Sequence, residues 1–165
     1  MPQEKDIKIL IESTTYEVEA SLFGDDVSVF DEISEEDIKA SLEPETMSMK
    51  TFGTFGVDGD RAQVAYEESE ATGMEGSKTA VSFDIKKPGL VTMMRTGVVS
   101  TALVFEKGKR HHCVYKTPYM PFEICVKTLD VKNHIMDTGR LELDYIIEIR
   151  GAKAERTKFS MKIAE

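Results

Sequence analysis

Apolar residues recur at every second position along almost the whole chain, and this limits the fold more than any other feature. In an extended strand, successive side chains point to opposite faces, so residues two apart share one side. Ile7, Ile9 and Ile11 start the pattern. It continues weakly through Tyr16 and Val18, predicting a long first strand over about Asp6–Ala20. Later rows are Met47, Met49, Thr51, Gly53, Phe55 and Val57, then Ala62, Val64, Tyr66 and Glu68. Thr79, Val81, Phe83 and Ile85 form another, followed by Val91, Met93 and Arg95, and by Val99, Thr101, Leu103 and Phe105. His111, Cys113, Tyr115 and Thr117 share a side, as do Phe122, Ile124, Val126 and Thr128. Leu141, Leu143, Tyr145, Ile147 and Ile149 alternate cleanly, apart from Ile146 on the opposite side, and Thr157, Phe159, Met161 and Ile163 close the chain. Turn chemistry separates the rows at Asp58-Gly59, Lys86-Lys87-Pro88-Gly89, Glu106-Lys107-Gly108-Lys109 and Gly151-Ala152.

Consecutive strands with short connections make an antiparallel meander. Left open, a sheet of this size exposes two edges that invite aggregation, and closure removes them. The expected fold is therefore all-β, an antiparallel up-and-down β-barrel of about 8–10 strands in one domain spanning 1–165. Such a barrel is either filled by its own side chains or holds one small ligand.

The alternation breaks over 21–45, an acidic insertion that holds Asp25, Asp26, Asp31, Glu32, Glu35, Glu36, Asp37, Glu43 and Glu45. Ser34 followed by acidic residues reads as a helix start, Ile38 and Leu42 share one helical face, and Pro44 ends the run. A short helix over about 34–42 is expected, capping or flanking the barrel or serving as a lid.

The net charge of −9 repels a polyanion, which argues against nucleic-acid binding. Lys107, Lys109, Arg110 and Lys116 lie close together and read as a solvated hairpin end. No apolar run reaches the roughly 20 residues that span a bilayer, and the N-terminus lacks a secretory signal pattern. Two cysteines without such a signal fit free thiols in a cytoplasmic protein.

The middle and C-terminal parts resemble the uncharacterised bacterial YwiB-like family. The resemblance is carried by Tyr66-Glu67-Glu68 ahead of Thr72-Gly73-Met74-Glu75-Gly76, by Arg95 and Gly97, and by Phe105–Arg110 leading into Tyr115-Lys116-Thr117-Pro118-Tyr119. Gly139-Arg140-Leu141 and Tyr145 follow. Met120-Pro121 stands where that family usually continues with Gly, and the acidic insertion is longer than the family pattern. The resemblance implies a calycin-like barrel, similar to the lipocalins and fatty-acid-binding proteins, and implies no reaction.

Strand parity then singles out a polar set. If the apolar members of each row face inward, Glu68, Arg95, Tyr115 and Thr117 face inward or line a barrel mouth. A buried charge is costly unless it is paired. Glu68 and Arg95 are therefore expected to lie close, with Tyr66 or Tyr115 completing the network. This set is either a structural ion pair or a ligand-binding site in which Arg95 grips a carboxylate. No catalytic motif, cofactor fingerprint or metal-ligand spacing is present. His111 and His112 diverge by parity, and Cys113 and Cys125 are not expected to pair in a disulfide. Three functions stay open: a non-enzymatic barrel binding a small amphipathic, hydrophobic or acidic ligand, a filled barrel acting as a protein-interaction module, and a barrel-mouth enzyme with Glu68 or His111 as base.

Overall fold

The computed structural model describes residues 3–18, 44–68, 76–97, 100–116, 118–149 and 154–165, with the side chains of Gln3 and Tyr115 outside the description. The helix expected over 34–42 lies outside the described residues. Glu45, the last residue of the expected insertion, is instead the first of β2.

Among the described residues ten antiparallel strands form one sheet: β1 (Gln3–Val18), β2 (Glu45–Asp58), β3 (Arg61–Glu67), β4 (Lys78–Asp84), β5 (Lys87–Thr96), β6 (Thr101–Glu106), β7 (Arg110–Lys116), β8 (Pro121–His134), β9 (Arg140–Ile149) and β10 (Ala154–Ala164). Their order is β6-β5-β4-β3-β2-β1-β10-β9-β8-β7. Each strand is thus a neighbour of the next, β1 is flanked by β2 and β10, and only β6 and β7 are left to meet.

They meet at both ends of a seam. At one end Lys109 N donates to Glu106 O at 2.9 Å across the β6–β7 turn, and the turn is tied to β8 by Gly108 N donating to Thr128 O at 2.9 Å and Thr128 N donating to Lys109 O at 3.0 Å. At the other end Ser100 and Lys116 exchange two backbone hydrogen bonds of 2.9 Å each. Among the described residues no continuous ladder joins them between these points, so the barrel is nearly closed.

The core follows the sequence rows. Ile9, Ile11, Val64, Val81, Phe83, Val91, Phe105, Leu141, Leu143 and Met161 are buried and pack inside the barrel. Each such side chain contributes about 1.5–3 kcal/mol on leaving water. Phe83 and Phe105 fill the end where the tight turns at Gly59-Asp60, Ile85-Lys86 and Lys107-Gly108 gather. The turn expected at Lys86–Gly89 is tighter than that, because Lys87 already opens β5. A bulge in β8 between Thr128 and Asp130 adds one residue against β9 and resets the phase, so that Val131 faces Leu143. Phe122 holds its place in the row but stays exposed near the start of β8.

Candidate functional site

The other end of the barrel interior is polar and open. A cavity of about 510 Å³ lies there, walled by β1, β2, β3, β5, β9 and β10. Its apolar lining includes Ile11, Met47, Met49, Met93 and Phe159, and its polar lining includes Tyr66, Glu68, Arg95 and Tyr145.

Pairing register builds the polar cluster. Gly53 of β2 stands opposite Tyr66 of β3, Tyr66 opposite Thr79 of β4, and Thr79 opposite Arg95 of β5. All four belong to rows that point inward, so the side chains of Tyr66, Thr79 and Arg95 lie side by side across three strands. Glu68 follows directly after β3 and is held by a 2.7 Å bond from its N–H to Ser77 O. Gly53 is required by close approach. A Cβ there would sit 2.2 Å from Ala65 O and 2.7 Å from Ile9 Cδ1.

Thr79 is the hub. Its hydroxyl donates to Glu68 Oε1 at 2.5 Å and accepts from Arg95 Nε at 3.3 Å. Arg95 Nη2 also donates to Glu68 Oε1, at 3.2 Å. The Glu68 side chain is 1% exposed and that of Arg95 17%. The second carboxylate oxygen, Glu68 Oε2, is buried and has no hydrogen-bond partner among the described residues. The Tyr66 phenol is pushed well above its ordinary pKa, first by burial and then by Glu68, with Arg95 and a hydrogen bond with Thr79 opposing. Burial also raises Tyr145, opposed by its hydrogen bond with Thr157 and by Arg95. Both phenols therefore stay neutral donors at ordinary pH.

The structure brings together Tyr66, Glu68 and Arg95 of the expected set. The Tyr115 side chain and Thr117 lie outside the described residues. Thr79 and Tyr145 belong to the site and were missed, although both stood in inward rows as the polar members among apolar neighbours. Glu45 joins the cavity rim, and burial together with Glu45 and Glu17 raises the pKa of Glu155 beside it.

The histidines and cysteines sort by parity. His111 Nε2 is buried without a partner among the described residues, so the base reading lacks a group to orient it. His112 stands opposite Cys125 instead, with Nε2 3.8 Å from Sγ. Burial pushes the Cys125 thiol up to about 11, the opposite of an activated nucleophile. Both cysteines are free. Among the described residues no group of three His, Cys, Asp or Glu side chains is placed to hold a metal ion.

The fold has a solved counterpart. The crystal structure of the ywiB protein from Bacillus subtilis is similar to this chain with a TM-score of 0.65 and 17% sequence identity, over 98% of this chain and 94% of that one. At that identity the likeness shows the fold alone. Comparison with curated proteins gives no match. The model of a family described as a domain of unknown function, DUF1934, matches residues 32–161, which is most of the chain, and the chain belongs to that family.

Proposed function

We propose that the chain is a non-enzymatic, calycin-like barrel that binds one small amphipathic molecule in its interior. The observation that carries this reading is the cavity of about 510 Å³ with the Tyr66–Glu68–Arg95 cluster in its wall. Ligand pockets typically span roughly 300–1,000 Å³, with mostly apolar walls and a few placed polar groups. Met47, Met49, Met93 and Phe159 supply an apolar wall here, and methionines adapt to ligand shape. Lipocalins use the same up-and-down enclosure for one small ligand. An acidic ligand on Arg95 was the form suggested by the sequence, but Arg95 is already engaged by Glu68 and Thr79.

Native mass spectrometry of protein purified from its native source tests the reading. The expected result is a bound species of small-molecule mass that is lost when Met93→Trp fills the cavity. A bare chain, or a bound species kept by Met93→Trp, would remove the reading.

A second reading, a protein-interaction module, is favoured by one feature of the outer surface. Phe52 is 76% exposed and sits in an apolar groove with Leu10, flanked by Lys8, Lys50 and Lys162.

A further inference from the structure

We infer that the head group this cavity accepts is a positively charged hydrogen-bond donor, an ammonium on an apolar body, received by Glu68 Oε2. This rests on the proposed binding role of the cavity and names the class of ligand it takes.

Most donors and acceptors of the cluster are already in use. Arg95 gives Nε to Thr79 and Nη2 to Glu68, so its charge is shared before any ligand arrives. Glu68 Oε1 receives two donors, from Thr79 and Arg95. Glu68 Oε2 receives none among the described residues, on a side chain that is 1% exposed and lines the cavity. A buried carboxylate oxygen left without a donor is costly, and a ligand that supplies one recovers that cost.

Charge points the same way. Among the described residues lining the cavity, Arg95 is the only cation, against Glu68 and Glu45. Glu17 and Glu155 add to the field beside Glu45 at the rim. A carboxylate ligand would bring its charge against these groups. An ammonium meets Glu68 Oε2 through a charge-assisted hydrogen bond. The aromatic side chains of Tyr66 and Tyr145 line the same space, and aromatic faces attract cations. Met49, Met93 and Phe159 then hold the apolar body.

The test uses the intact protein with methyl-labelled methionines and three probes of one chain length: octylamine, 1-octanol and octanoate. Met49 and Met93 are buried in the cavity wall, whereas Met94 and Met136 are exposed and report surface association. The expected result is movement of the Met49 and Met93 signals by octylamine, with an affinity about tenfold above octanol, and octanoate weakest. Glu68→Gln should bring octylamine down to the octanol value. Octanoate binding as tightly as octylamine, or octanol matching it, overturns the inference while the cavity remains a binding site. Silence of Met49 and Met93 with all three probes overturns both. The ranking on the unmodified protein decides even if Glu68→Gln does not fold.

Discussion

Glu68 and Arg95 are each tolerable inside the barrel only because of the other. Taking one charge of a buried pair away leaves its partner uncompensated, which typically costs about 3–5 kcal/mol. Arg95→Met should therefore lower stability by about 3 kcal/mol in urea denaturation, towards the low end because its side chain is 17% exposed. Adding Glu68→Gln to that variant should restore part of the loss, since the stranded carboxylate is then neutral. Glu155 behaves in the opposite sense. Its folded-state pKa is raised from 4.5 by burial and by Glu45 and Glu17, so the folded chain holds this proton more tightly than the unfolded one. The contribution of Glu155 is therefore favourable below about pH 4.5 and is lost as pH rises through the raised value. Glu155→Gln should raise the melting temperature at neutral pH, by about 0.5 kcal/mol in equivalent stability after solvent screening, and should show no gain in acid. Tyr66, Glu68 and Arg95 were legible as a group because parity places each in a row with buried apolar residues. Thr79 was not, because threonine is an ordinary strand residue and its role as hub depends on which residues stand opposite it.

At the scale of strands, the site depends on how closely β2 approaches β3 and β1. Gly53 permits that approach, and a methyl group there would collide with the Ala65 carbonyl, which is backbone and cannot turn aside. Gly53→Ala should cost about 3 kcal/mol in urea denaturation and should disturb the Tyr66 environment, seen in its ring resonances. On the outer side, β9 and β10 are tied by Arg156, whose Nε and Nη2 donate to the two oxygens of Asp144 at 2.9 and 2.6 Å. This two-pronged pair fixes geometry as well as charge. Turn positions were read well where glycine supplies a positive φ, as at Gly59 and Gly108. The β8 bulge was not read, because one extra residue at Thr128–Asp130 changes the phase of the alternation without any distinctive residue type. Cys125 shows a further limit of parity. It lies on the face opposite Ile124 and Val126, yet all three are buried.

For the molecule as a whole, the weak line is the seam between β6 and β7. β1 is hydrogen-bonded on both sides, by β2 and β10, while among the described residues the backbones of β6 and β7 are bonded to each other only at the Ser100–Lys116 bridge and across their turn. Local opening draws on regions with few backbone bonds to break. Hydrogen exchange should find the amides of β1 and β10 exchanging only with global unfolding, and the seam-facing amides of β6 and β7 exchanging many times faster. Equal protection across the two sectors would mean that the seam is bonded throughout. The two ends of the interior also differ. Large side chains such as Phe83 and Phe105 fill one end, whereas Ser13, Thr15 and Thr157 leave room at the other. The sequence by itself determined the strand rows, their meander order and the inward set of Tyr66, Glu68 and Arg95, because period two is a local property of the chain. Tertiary structure alone decided that the barrel is hollow at one end, that Arg95 is already engaged, and that Glu68 Oε2 is left without a donor among the described residues. Those facts depend on register and closure, which are set by contacts between residues far apart in the chain.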